Sequence, residues 1–341
     1  MRLAVFLQPS GAVEVAREAE RLGCAMALAP EGFRADAPSV LGAVAAVTST
    51  IGLGSGVMQI PGRAPVMTAL TAATLDGLSG GRFHLGLGVS NPDVSRGWYG
   101  VTFDHPLQRT REYVEVVRTA LSGAPVRHAG RHYPLPPPGC DEPAHLRAAA
   151  TRADLPIYLA GVGPRSLRLT GEIADGWIGV FLSPERVRES LEQVAEGRAV
   201  AGKTLDGFEV LPSIAIGVGD DPQVAARPLR DYFANFIGMG DPARSIYFRL
   251  AERLGFGEAA AQINAHCRAG NRPAAARAVP MELMDQVALI GNEHRLAPRL
   301  AAYARAGVTT LGLTLLAPTV EGQIEALRVA ARALEQIKQP A

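Results

Sequence analysis

Short apolar runs bounded by glycine, proline or small polar residues alternate along this chain with longer stretches of helical periodicity. The runs are too short for helices and read as buried strands. They are Leu3–Leu7, Ala25–Ala29, Ile51–Val57, Arg82–Gly88, Pro156–Ala160, Ile178–Phe181, Phe208–Val218 and Val308–Leu315. Between them the pattern predicts helices over Ala12–Leu22, stopped by Gly23, then Pro38–Thr48, Ala64–Leu78 and Pro106–Leu121. Further helices begin at Pro164, where proline suits the first turn, and run over 184–201, with Ser183 as N-cap, and Val320–Ile337. Helical segments fill much of 222–306. Eight strands alternating with helices predict a (β/α)8 TIM barrel, an α/β fold. An open doubly wound sheet is the rival, but it calls for fewer strands or a visible domain break. The chain is therefore expected to be one domain, residues 1–341, with insertions at about 122–155 and 222–290. Those insertions read equally as binding loops or as packing and dimer elements.

Composition narrows the class. The sequence has 341 residues, 48% hydrophobic and 20% charged, enough for a sizeable core. A formal net charge of +1 gives no general attraction to nucleic acid or to an anionic membrane. No apolar run reaches the length of a membrane span. The first strand begins almost at Met1, so no signal peptide is expected. Cys24, Cys140 and Cys267 are odd in number and far apart, as reduced thiols of a cytoplasmic protein would be. No metal-ligand spacing occurs among the seven histidines.

In a barrel, chemistry collects where strands end. Ala29-Pro30-Glu31-Gly32 puts a carboxylate just past the second strand; a surface glutamate or a cap for the next helix would look the same. Gly54-Ser55-Gly56-Val57-Met58-Gln59 reads as a bulge or kink at the rim. Gly86-Leu87-Gly88-Val89-Ser90-Asn91 removes side chains where the fourth strand meets a polar loop. It lacks the third glycine of a dinucleotide fingerprint, and Pro92 sits where the helix should start. Ala160-Gly161-Val162-Gly163-Pro164-Arg165 joins a strand to a helix N-terminus. Its backbone N–H groups, with Arg165, could face an anion, or it could be an ordinary turn. His84 reads as a satisfied core histidine and His105 as a loop residue. Trp98-Tyr99 reads as packing under the 92–106 loop or as a pocket wall. Arg109 and Glu112, one helical turn apart, read as structural pairs.

In order, Ile51–Val57, Thr74-Leu75-Asp76-x-Leu78-Ser79-Gly80-Gly81-Arg82-Phe83-x-Leu85-Gly86-Leu87-Gly88, Pro106-x-x-Arg109-x-x-Glu112-Tyr113, Pro156–Ala160 and Gly171–Trp177 make the chain resemble the luciferase-like flavin oxidoreductase superfamily. The nearest match is its branch using the deazaflavin coenzyme F420. No motif covers 222–290. The resemblance implies a cofactor at the C-terminal mouth of the barrel and a cis peptide at Gly56-Val57 behind the ring. It implies cofactor contacts from Gly56, Val57, Gln59, Gly88, Ser90, Asn91, Ala160, Gly161, Val162, Gly163 and Arg165, with the phosphate against the N–H groups of Gly161 to Gly163. Some deazaflavin relatives carry a glutamate where Val89 stands, which leaves Glu31 as the candidate for a proton step. The implied activity is hydride transfer between coenzyme F420 and a small organic substrate, in a homodimer. An FMN-dependent monooxygenase and a non-catalytic flavin-binding barrel are the alternatives.

Overall fold

The computed structural model describes residues 1–147, 152 and 154–337. All eight predicted strands are present, their ends within two residues of the expected ones. The chain divides into two compact units.

The first unit holds Leu7–Ile178 and Ser190–Val210. Its strands Met26–Ala29, Gly52–Ser55, Phe83–Gly88, Ile157–Ala160 and the start of Gly176–Val180 are parallel neighbours in that order. Each is a near-continuous buried apolar run, as strands covered on both faces must be. The register pairs Leu85 with Ile157 and Leu159 with Trp177. A two-residue strand, Met58–Gln59, continues the third strand beyond the bulge and pairs with Leu87–Gly88. Two helices, Pro164–Ile173 and Pro184–Val200, approach closely through glycines. A Cβ on Gly171 would lie 2.0 Å from the Val194 carbonyl oxygen, and one on Gly197 would lie 1.9 Å from that of Arg168.

The 122–155 insertion contributes a small antiparallel pair, His128–Ala129 with Pro134–Leu135. Glu112 holds it in place. The carboxylate, 6% exposed, accepts hydrogen bonds from the backbone of Arg131 (3.2 Å), His132 (2.7 Å) and Tyr133 (3.2 Å), and from Gln108 Nε2 (2.9 Å). The expected Arg109–Glu112 pair does not form; Arg109 turns to Asp104 at 3.1 Å instead. Burial works against ionisation of Glu112, but these hydrogen bonds outweigh it and lower its pKa below the usual 4.5. The ionised form is therefore favoured by folding. Its stabilisation is complete above about pH 4.5 and is lost as pH falls through the lower, folded value. In Glu112→Gln, acid unfolding followed by circular dichroism should show a shallower loss of stability below about pH 4.5 than in the parent protein. Identical acid limbs would contradict this role.

The second unit holds Met1–Phe6, Gly179–Glu189 and Leu211–Ala341. Here Arg2–Phe6 pairs with Thr310–Leu315, which pairs in turn with the Glu209–Val218 strand. Ala288–Gly291 adds a parallel strand against Ala215–Val218. The sequence pattern does not predict this strand, because its short apolar run follows a helix without a break. Ser183 caps the next helix as expected, its Oγ accepting from Arg186 N at 3.3 Å. The 222–306 stretch resolves into helices Arg227–Ile237, Ile246–Arg253, Gly257–Arg268 and Glu293–Arg305, with shorter turns between.

Candidate active site

The first unit gathers the strand-end residues marked from the sequence. The Gly56–Val57 peptide is cis, as expected. Gly56 N donates to the Ala29 carbonyl at 2.8 Å, tying the bulge to the end of the second strand. Ser55 Oγ bridges to the fourth strand, donating to Gly86 O (2.8 Å) and accepting from Gly86 N (2.9 Å). The fourth-strand glycines leave room for this bulge. A Cβ on Gly86 would fall 2.0 Å from the Ser55 carbonyl oxygen. A Cβ on Gly88 would fall 2.6 Å from Val57 Cγ2 and 3.5 Å from Ala160 Cβ. Gly56, Val57, Gly88 and Ala160 thus form one small-residue surface at three neighbouring strand ends.

Glu31 stands beside it, its side chain 8% exposed. Its Oε1 accepts from Gln59 N at 3.1 Å, and Arg63 Nη2 donates to Oε2 at 2.8 Å. Arg63 also pairs with Asp36. Gln59 Nε2 donates to the Glu31 backbone oxygen at 3.2 Å. The Gln59 Oε1 atom is buried with no hydrogen-bond partner among the described residues.

At the fifth strand, two of the expected phosphate donors are engaged within the turn itself. Val162 N and Gly163 N both donate to Ser166 Oγ, at 3.2 and 3.1 Å, and so do not face outward as free donors. Gly161 is fixed by its carbonyl, which accepts from the buried Trp177 Nε1 at 2.8 Å. The donors left over are those of the first helical turn, the N–H groups of Arg165 and Ser166, beside the exposed Arg165 guanidinium. Asn91 also has a different task. Its Oδ1 caps an unpredicted helix, Pro92–Gly97, accepting from Asp93 N and Val94 N at 3.0 Å each. Asn-Pro-Asp is an N-cap and first-turn signature that could have revealed that helix. Ser90, just before it, has a left-handed backbone with φ 63°.

The other marked residues make contacts within the protein. His84 Nδ1 meets Tyr158 OH at 2.8 Å. His105 precedes a helix and its ring lies 5.7 Å from that of His132. Tyr99 packs its ring against Gly62, whereas Trp98 is 58% exposed and meets Phe33 edge-on at 5.1 Å. Among the described residues no cluster of histidine, cysteine or carboxylate side chains could hold a metal ion.

Residues 7–310 match the luciferase-like monooxygenase family. Over 315 residues, 90% of this chain and 91% of the relative, the sequence is 34% identical to a Mycobacterium tuberculosis protein assigned as a coenzyme F420-dependent oxidoreductase. It is 29% identical over 276 residues to the 5,10-methylenetetrahydromethanopterin reductase of Archaeoglobus fulgidus, covering 80% of this chain and 79% of that one. The solved coenzyme F420-dependent tetrahydromethanopterin reductase of Methanopyrus kandleri superposes with a TM-score of 0.84 at 25% identity, covering 99% of this chain and 98% of the other. The fold is accordingly a (β/α)8 TIM barrel.

Proposed function

The chain belongs to the luciferase-like monooxygenase family, and from that premise we propose that it is an oxidoreductase that uses coenzyme F420 to reduce or oxidise a small organic molecule. The observation that carries the reading furthest is the small-residue surface of Gly56, Val57, Gly88 and Ala160 at three neighbouring strand ends. A flat ring fits such a place, because the surface offers only small side chains to obstruct it. The relatives assigned to coenzyme F420 support the deazaflavin over FMN.

When bound, the deazaflavin supplies the carbon that gives or takes the hydride. The chain's own part is placement and exclusion of water. Gly56, Val57, Gly88 and Ala160 back the ring, and Gln59, paired with Gly88 and bonded to Glu31, holds the end of the bulge in place. The cofactor phosphate is held by the first turn of the Pro164–Ile173 helix and by Arg165. Glu31 serves as an anchor for Gln59 and Arg63 and not as the proton donor. Ser90 and Asn91 act through the backbone path they impose at the fourth strand end. The protein works as a single domain, as a homodimer, in the cytoplasm.

The test is a calorimetric titration of the purified protein with oxidised coenzyme F420 and, separately, with FMN. The deazaflavin should bind at least about tenfold more tightly, a difference of about 1.4 kcal/mol. Tighter FMN binding with oxygen-dependent turnover would move the protein to the monooxygenase reading. Binding of either without turnover of any carbonyl or alcohol would favour the non-catalytic one.

A further inference from the structure

In the first unit the segment 91–104 joins the end of the Phe83–Gly88 strand to the helix Pro106–Leu121. Non-glycine residues with a left-handed backbone occur at three places among the described residues, and two of them flank this segment. Ser90 (φ 63°) stands just before it and His105 (φ 46°) just after it. Such conformations cost free energy and gather at functional sites. Hinges are made in this way, by a few residues at the ends of an element that take up the change of backbone angle.

Between these two points the segment is bonded to itself. Asn91 O accepts from Ser95 N, Val94 O from Trp98 N and Ser95 O from Val101 N, each at 2.9 Å. Of its fourteen residues only Ser95 is buried. Val94, Trp98, Tyr99, Val101 and Phe103 all leave part of their apolar surface open. A piece with its own hydrogen bonds and so little buried surface belongs to the low-stability end of a fold. Between it and the rest of the unit lies a half-open cleft of about 30 Å³, lined by Val101 and Phe103 of the segment and by Ile60, Val89 and Pro106. The seam is therefore not packed like a core. Val89 directly follows Gly88 and Ile60 directly follows Gln59, so the cleft borders the small-residue surface. Arg109, on the helix, fastens the far end of the segment. Its Nε donates to Asp104 O at 3.0 Å, and its Nη2 to Asp104 Oδ1 at 3.1 Å and to Thr102 Oγ1 at 3.4 Å. The Asp104 side chain is 47% exposed, so parting this pair strands no buried charge. Such a contact breaks and re-forms at low cost, as a latch must.

We propose that 91–104 is a lid that turns about Ser90 and His105, admits the cofactor to the small-residue surface when open, and covers it when Arg109 latches Asp104. The identity of the occupant rests on the cofactor reading; the hinges and the latch do not. Closing over a flat ring buries apolar side chains that the segment otherwise leaves part-exposed, and it sequesters the reacting carbon from water.

Limited proteolysis of the full chain tests this. Arg96 is the only lysine or arginine in 91–104. Tryptic cleavage after it, identified from fragment masses, therefore reports release of the segment, at a rate that follows the population of the open form. Without any ligand, Arg109→Gln and Asp104→Ala should each speed this cut about three- to tenfold at unchanged melting temperature. The double variant should cut no faster than Arg109→Gln alone, because the same latch is lost only once. If Arg109→Gln lowers the melting temperature, Asp104→Ala, on the more exposed side of the pair, decides. In the parent protein, coenzyme F420 at ten times its dissociation constant should slow the cut about tenfold. Equal cutting of the parent and both variants would overturn the latch. Calorimetric binding of coenzyme F420 with no slowing of the cut would overturn the lid. Absence of coenzyme F420 binding in the parent would sink the cofactor reading instead, while faster cutting of the ligand-free variants would still establish the latched segment.

Discussion

Replacing Asp76 with alanine should lower the unfolding free energy by about 3–5 kcal/mol, measured from urea unfolding midpoints. Asp76 is 0% exposed, inside the helix Pro65–Leu78. Its carboxylate takes the Arg152 guanidinium at both oxygens: Nη2 donates to Oδ1 at 2.7 Å and Nε to Oδ2 at 3.2 Å. Arg152 Nη2 also donates to Phe83 O at 2.6 Å, so one guanidinium joins a helix, a strand start and the end of the 122–155 insertion. Removing either partner leaves the other without its countercharge, which is the expensive case for an ion pair. Arg152 is one-third exposed and Asp76 is not, so Arg152→Ala, which strands the buried carboxylate, should cost at least as much as Asp76→Ala. The double variant should cost clearly less than the sum of the two, because it leaves no orphaned charge. Strict additivity would show that the pair is not coupled.

That pair shows where the sequence is readable and where it stops. The stretch from Thr74 to Gly88 stands out as a family signature, and the strand within it is readable from its apolar run and bracketing glycines. The structure gives its polar residues structural work. Ser79 Oγ accepts from Arg82 N at 3.3 Å, and Arg82 reaches the carbonyls of Ile51 (2.6 Å) and Thr48 (2.9 Å). Asp76 meets a residue 76 positions away. Periodicity reports which face of an element is buried, but it carries no information about the partner of a polar group across the fold. The same limit applies at the site. The strand-end glycines are legible as places of close approach, but they are filled by the bulge of Ser55 to Val57. Ser166 occupying two amides of the Gly161–Gly163 turn is not readable from spacing, because a serine at the third helical position serves as a cap or faces a ligand equally well. The 288–291 strand belongs largely to the insertion, where no motif guides the reading.

Substituting Glu31 distinguishes an anchor from a proton donor, and the two roles predict different kinetics. The carboxylate holds Gln59 by its backbone N–H at 3.1 Å and Arg63 by its guanidinium at 2.8 Å. Both oxygens are thus acceptors for protein donors. Glu31→Ala should release Gln59 and the end of the bulge. Deazaflavin affinity should then fall about tenfold or more, because a ring held by a loosened partner loses about 1.4 kcal/mol for each factor of ten. At saturating cofactor, kcat should remain within a few-fold of the parent value. Glu31→Gln, which keeps the shape and one acceptor oxygen, should recover part of the affinity. Loss of a general acid would look different: kcat would drop by about a hundredfold or more in both variants, with cofactor affinity intact and one limb of the pH profile gone. Arg63 supplies the cross-check. Arg63→Met takes the countercharge from a carboxylate only 8% exposed beside Gln59. The cost of leaving that group unpaired loosens the same anchor, so cofactor affinity should fall as in Glu31→Ala while kcat at saturation again stays close to that of the parent. A variant that kept full affinity would show that Gln59 holds its place without the Glu31–Arg63 pair.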